Sequence, residues 1–109
     1  MSKKQVVVYG ASGYTGRLIC EFLREYQVPF VAAGRNKARI EEALAKVPGI
    51  ETADYEIVEV KHTVAALTKL FNGRQVVCNS VGPFDYFGDV VVQAAAKANC
   101  HYMDTTGEQ

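Results

Sequence analysis

The sequence has no excess of charge of either sign: twelve Lys and Arg are matched by twelve Asp and Glu across 109 residues. That balance argues against nucleic acid or an anionic membrane as the main partner, because both are bound through a basic surplus. No apolar run approaches the roughly 20 residues of a membrane span. The start, "MSKKQVVVYG", passes from two lysines straight into a short strand-like run. It lacks the longer apolar region and small-residue cleavage site of a secretory leader. Cysteine is scarce and odd in number. Cys20, Cys78 and Cys100 form no CxxC pair and no Cys/His metal spacing. Their expected role is that of small buried hydrophobes in a reducing, cytoplasmic compartment. His62 and His101 stand alone, with no Cys or carboxylate at ligand spacing, so no metal is expected. Repeats and low-complexity tracts are missing too.

What is present is an alternation of short β-branched runs with amphipathic segments. Strands are expected at Val6–Tyr9, Phe30–Ala33, Glu56–Val60, Gln75–Asn79 and His101–Asp104. Between them lie four helical stripes. The first is Leu18, Ile19, Phe22, Leu23 and Tyr26; the second is Ile40, Ala43, Leu44 and Val47. Val64, Leu67, Leu70 and Phe71 form the third, and Phe87, Val91, Ala94, Ala95 and Ala98 the fourth. Asn72-Gly73 follows the third stripe where a C-cap belongs, and Pro48-Gly49 ends the second. Strands alternating with helices predict right-handed crossovers and a parallel sheet. The expected fold is α/β, a doubly wound Rossmann-like parallel sheet of strand order 3-2-1-4-5, truncated before a sixth strand. Glu56 and Glu59 place the third strand near an edge. A single domain over residues 1–109 is expected, as the N-terminal part of a longer enzyme.

The run "GASGYTG" follows the first strand. In a doubly wound sheet, ligands sit at the carboxyl ends of the strands where the order reverses, which is here. Gly10 permits the tight turn off the strand, Gly13 lets a pyrophosphate approach the backbone, and Gly16 lets the helix pack closely on the strand. Amides at the helix start then face the phosphates, helped by the helix dipole. Ser12 and Thr15 add hydroxyl donors. No Gly-Lys-Ser/Thr follows, so a Walker A loop is excluded. A tight turn that binds nothing is the competing reading of the glycines alone; the strand, helix and βαβ frame around them favour a dinucleotide.

The second strand ends in "VAAGRNKAR". NAD sites place an acid here for the ribose 2′-hydroxyl. This chain has Gly34 and then Arg35, whose guanidinium attracts a 2′-phosphate. Asn36 can donate to the phosphate or ribose, and Lys37 or Arg39 can add charge. NADP is therefore favoured over NAD. The missing acid also counts against S-adenosylmethionine.

A second loop, "VVCNSVGPFDYFG", leaves the fourth strand. Asn79 through Pro83 would border the pyrophosphate and nicotinamide ribose; Gly82 permits close approach and Pro83 stiffens the turn. Phe87 fits the buried stripe, while Tyr86 either lines a substrate cavity or covers the sheet. At the end of the fifth strand, Asp104, Thr105, Thr106 and Glu108 either touch nicotinamide or substrate or serve as capping residues. No general base with a supporting partner is identifiable, so no catalytic residue is assigned.

The glycine loop, the "AAGRNKARIEEAL" turn and the run ending in "HYMDTTGE" together resemble the N-terminal domain of saccharopine dehydrogenase-like oxidoreductases, over nearly the whole chain. The resemblance implies an NAD(P)-binding Rossmann domain whose substrate chemistry is completed by a second domain. It implies Gly10, Ser12, Gly13, Tyr14, Thr15 and Gly16 at the pyrophosphate, and Arg35 and Asn36 at the adenosine ribose or its phosphate. It places Asn79, Val81, Gly82 and Pro83 near the nicotinamide. Family members often carry acids near the adenine after the third strand; here Glu59 is an approximate match, and Lys61 and His62 fall where acids are common. The expected partners are the cofactor and, in the full-length protein, a small-molecule substrate; a homodimer stays open. Two further functions are weighed: a non-catalytic NADP sensor, and part of an acyl-phosphate reductase or semialdehyde dehydrogenase, against which the Asn-Ser-Val-Gly-Pro loop speaks.

Overall fold

The computed structural model describes residues 3–80 and 85–104, with side chains described for all of these except 85–89. Val81, Gly82, Pro83, Phe84, Thr105, Thr106 and Glu108, and the side chains of Tyr86 and Phe87, lie outside the described residues. Five strands alternate with four helices: β1 (Val6–Tyr9), α1 (Tyr14–Glu25), β2 (Phe30–Gly34), α2 (Lys37–Leu44), β3 (Tyr55–Glu59), α3 (Val64–Phe71), β4 (Val76–Asn79), α4 (Asp85–Lys97) and β5 (His101–Asp104), with a 3-10 turn at Ile50–Thr52. Polar side chains cap two of the helices. Asn36 Oδ1 accepts from Arg39 N at the start of α2, and Thr63 Oγ1 from Ala66 N at the start of α3, each at 3.1 Å. Helix α1 begins at Gly13 with no side-chain cap. Three of the helices end by left-handed turns: Gln27 follows α1, Gly73 follows α3 and Asn99 follows α4, all at positive φ.

The strands form one sheet in the order β3-β2-β1-β4-β5, every pair parallel. The doubly wound order read from the sequence is the order found. Because side chains alternate along a strand, β1 feeds two cores. Val8 joins Cys20, Phe30, Ala32, Ile40 and Leu44 under α1 and α2. Val7 and Tyr9 join Val31, Leu67, Phe71, Val77, Val91, Ala94 and Ala95 under α3 and α4. β3 is an edge strand with Glu56 and Glu59 exposed, as its charge foretold.

One stripe differs from expectation. Of the five α1 residues expected to share a buried face, only Ile19 and Leu23 pack against the core. Phe22 and Tyr26 are 59% and 75% exposed, and Leu18 is exposed too. The residues α1 does bury are Gly16 and Cys20. At 3.6 residues per turn, positions 16, 20 and 23 fall on one narrow line, and the side-chain-free Gly16 draws that line onto the strand. The large residues are left to the flank. We therefore expect Leu44→Ala to cost about 2–5 kcal/mol in urea unfolding and Phe22→Ala less than about 1 kcal/mol; equal losses would restore the wider α1 stripe.

Candidate cofactor site

The carboxyl ends of β1, β2 and β4 meet where the strand order reverses. β1 leads into a loop whose Gly10 sits at φ 88°, a left-handed conformation that glycine adopts without strain. Gly10 N and Ala11 N both donate to the Ala33 carbonyl, at 2.8 and 3.2 Å, which pins the loop to β2. Gly16 is buried at the first turn of α1. A Cβ there would collide with the Gly10 carbonyl and lie 2.8 Å from Ser80 Oγ and 2.9 Å from Ala11 Cα. Gly13 differs: a Cβ on it would meet only the Gly10 carbonyl, at an ordinary 3.6 Å. The protein's own packing requires glycine at 16 and leaves the space beside Gly13 open.

Ser80, just past β4, locks this loop. Its N–H donates to the Tyr9 carbonyl at 2.9 Å, and its hydroxyl lies 3.0 Å from that oxygen and 3.1 Å from the Gly10 carbonyl. The opposite wall comes from β2. Gly34 is buried, and a Cβ there would press on Ile40 Cδ1 at 3.2 Å. Arg35 and Asn36 then emerge exposed. The Asn36 carbonyl oxygen is spent on the α2 cap, while its amide nitrogen takes no part in that cap. Glu59, at the end of β3, accepts from Lys37 N at 2.9 Å, so the nearby acid faces the α2 backbone. Between the walls lies a crevice of about 530 Å³, within the range of ligand pockets. Gly10, Ser12 and Gly13 line one side and Arg35, Asn36 and Arg39 the other, with Tyr9 and Ser80 between them.

Tyr9 is buried, and its ring stacks on that of His62 with centroids 5.8 Å apart. Its hydroxyl is 2.7 Å from His62 Nδ1. Burial pushes the Tyr9 phenol up to about 12, against a smaller opposing pull from the Arg35 guanidinium. The buried Tyr9 hydroxyl is thus neutral across the physiological range.

The other expected site residues are spread around this crevice. Tyr14 and Thr15 stand on the first turn of α1, with Tyr14 70% exposed and the Arg17 guanidinium 5.8 Å over its ring. Asn79 is 3% exposed and does not line the crevice. Its Nδ2 donates to Tyr102 Oη at 3.0 Å, and that hydroxyl donates to Asp104 Oδ2 at 2.7 Å. Burial is the main force raising the Tyr102 phenol to about 12, and the Asp104 carboxylate adds to it. Ser80 belongs to the Asn79-through-Pro83 run expected at the cofactor, whereas Tyr9 was given no site role from sequence; its signal was positional, at the carboxyl end of a strand beside the switch point.

Residues 6–108 match the family described as the saccharopine dehydrogenase NADP binding domain. The chain belongs to that family. This NADP-binding domain is 33% identical to the lipid droplet localized protein of Caenorhabditis elegans, over 99% of this chain and 27% of that protein. It is 33% identical to the trans-acting enoyl reductase of Mycobacterium ulcerans, over 95% of this chain and 25% of the relative. The human saccharopine dehydrogenase-like oxidoreductase is 29% identical over 94% of this chain and 27% of its own. The NADP-binding domain thus spans about a quarter of the length of the curated relatives it matches. Among solved structures, a short-chain dehydrogenase/reductase from Veillonella parvula superposes with a TM-score of 0.70 at 16% identity, over 91% of this chain and 45% of that one. An NADPH-dependent quinone oxidoreductase from Escherichia coli, complexed with NADPH, does so at 0.65 and 22%, over 87% and 34%. At such identities the likeness is one of fold. Among the described residues no helix is long and apolar enough to cross a membrane.

Two outcomes follow from this packing. Gly16→Ala should lose about 1–3 kcal/mol in urea unfolding, since its methyl meets backbone on one side and the Ser80 clamp on the other; Gly13→Ala should lose less than about 1 kcal/mol beyond the ordinary Gly-to-Ala difference. The second concerns pH. Unfolded Tyr9 ionises near 10, whereas the folded phenol keeps its proton to about 12. The stability it contributes is therefore whole below pH 10 and is lost as the pH rises toward 12. Tyr9→Phe should be about 1 kcal/mol less stable at neutral pH, having lost the His62 hydrogen bond, yet should lose less than the parent on going to about pH 11. Parallel losses for the two chains would show that Tyr9 does not carry this dependence.

Proposed function

We propose that this chain is the NADP(H)-binding part of a saccharopine dehydrogenase-like oxidoreductase, in which a C-terminal substrate domain completes hydride transfer to or from a small molecule. The nicotinamide cofactor supplies the hydride chemistry; this chain binds and orients it. One observation carries the reading: the uncapped N-terminus of α1 opens on a crevice whose other wall holds Arg35 in the place of an acid. The loop from Gly10 to Gly16 receives the pyrophosphate through the amides of Ser12, Tyr14, Thr15 and Gly16 and the hydroxyls of Ser12 and Thr15, since the Gly10, Ala11 and Gly13 amides are bonded within the protein. Arg35 pairs with the ribose 2′-phosphate, and Asn36 Nδ2 donates beside it. Glu59 does not compete, because its carboxylate is bonded to Lys37 N. The nicotinamide side falls to the segment from Asn79 through Val81, Gly82 and Pro83, with Asn79 acting from behind the surface through its bond to Tyr102.

The greater length of the relatives supports a separate substrate domain. The three thiols are all free, which supports a reducing, cytoplasmic setting. On this reading the 109-residue chain binds cofactor without turnover.

Titration with NADPH and NADH, followed by nicotinamide fluorescence, tests the assignment. NADPH should bind more tightly. Arg35→Ala should weaken NADPH by about 10- to 100-fold, the worth of one charge-assisted contact, and NADH by about three-fold or less. An equal fall for both, or NADH binding as tightly as NADPH from the start, would remove Arg35 from the 2′-phosphate.

A further inference from the structure

β3 ends the sheet on one side and, among the described residues, pairs only with β2. Its register with β2 is continuous from Tyr55 to Glu59, and no proline interrupts it. The pairing uses alternate residues. Phe30 N donates to the Asp54 carbonyl at 3.1 Å, and Val60 N donates to the Gly34 carbonyl at 2.9 Å. The even-numbered residues therefore turn their backbone groups to β2, and Ile57 and Glu59 turn theirs to the open edge. The open tract stops at Lys61, whose carbonyl accepts from Thr63 N at 2.9 Å. An edge of this kind is a template for one more strand.

A groove of about 460 Å³ lies between this strand and α3. Val58, Val60, Ala66 and Leu70 make it apolar, and the two valines and Leu70 pack against the core beneath. Glu59 lines it too, but its carboxylate is spent on Lys37 N, at the start of α2 on the other face of the sheet. Glu56, the second acid of β3, is exposed and outside the lining. Three cations remain, Lys61, Lys69 and Arg74. Among the described residues none of them is held in an ion pair. Arg74 is fixed in place: Nε donates to the Leu70 carbonyl at 2.8 Å and Nη1 to the Lys4 carbonyl at 2.7 Å, while Nη2 takes part in neither bond. Because α3 leaves from the carboxyl end of β3 and returns to the start of β4, Lys61 stands at one end of the groove and Arg74 at the other.

We propose that this edge docks an extended acidic segment of a partner protein. The segment adds a strand beside β3 and takes the outward backbone groups of Ile57 and Glu59. It sets apolar side chains over Val58, Val60 and Leu70 and brings carboxylates to Lys61, Lys69 and Arg74. Side chains on one face of a strand are two residues apart, so the segment reads acid, apolar, apolar, acid at every second position. A second copy of this chain fits poorly, because a two-fold contact would set the same cations against each other. A following segment of the same polypeptide starts from the wrong side: β5, the last described strand, lies four strand spacings away, about 19 Å. The proposal stands apart from the cofactor reading, since no residue lines both the groove and the crevice.

The test titrates the 109-residue chain with two capped peptides that alternate valine with threonine, one carrying aspartate at both ends and the other lysine. Amide hydrogen exchange is read at Ile57 and Glu59, with Val58 and Val60 as internal controls. At saturation the aspartate peptide should slow exchange at Ile57 and Glu59 by about ten-fold or more. Val58 and Val60, already bonded to β2, should change by less than about two-fold. The lysine peptide should bind about ten-fold more weakly or worse. Lys69→Glu, at an exposed position, should weaken the aspartate peptide by about ten-fold, and Lys61→Glu combined with it should reverse the preference between the peptides. The proposal is overturned if the aspartate peptide leaves the Ile57 and Glu59 amides unchanged, if the two peptides bind alike, or if the charge reversals have no effect. It is overturned too if those amides are already protected in a concentration-dependent way, which gives the edge to a second copy. Failure of the longer polypeptide to bind the peptide overturns it as well, giving the edge to that polypeptide's own chain.

Discussion

The approach of α1 onto β1 at Gly16 is the contact on which the rest of the molecule turns. With no side chain at 16, the helix start lies against the Gly10 carbonyl, Ala11 and Ser80. That closeness sets three things together. It aims the free amides of the helix at the end of β1, it tucks Cys20 into the core, and it leaves a slot that the Ser80 hydroxyl fills. Ser80 in turn ties β4 to the loop through the Tyr9 and Gly10 carbonyls, so the two halves of the doubly wound sheet are joined at the crevice. A single methyl at position 16 would disturb all of these.

The crevice draws its chemical character from what its neighbours have used up. Asn36 spends its oxygen on the α2 cap, and Glu59 spends its carboxylate on Lys37 N. Positive and donor groups are thereby left facing the space, with Arg35 at its edge. The Tyr9 phenol below is neutral because burial disfavours its ionised form more than Arg35 assists it. This is an environment for an anion with a polar body, in agreement with membership of an NADP-binding family.

Much of the site could be read from residue spacing. Gly10, Ser12 and Gly13, with Arg35 and Asn36, line one crevice because strand-to-helix connections in this fold bring consecutive carboxyl ends side by side. Asn79 could not be placed in the same way. Its neighbours Tyr102 and Asp104 come from a strand far along the chain, and the hydrogen bonds that hold it inside are invisible to a linear pattern. The α1 stripe misled for a related reason: periodicity says which residues share a face, but a glycine can rotate the contact line away from the largest of them.

Local chemistry written in the chain was enough for the number and order of the elements, the parallel sheet and its 3-2-1-4-5 arrangement, the edge position of β3 and the conformational demand at Gly10. These depend on short-range propensity and on the handedness of crossovers, which residue type alone dictates. Strand register and helix seating settled the remainder: the Ser80 clamp, the Tyr9–His62 stack and the retreat of Asn79 behind Tyr102. Each of these joins residues separated by some twenty to seventy positions, and such pairs acquire a distance only when the whole sheet has assembled.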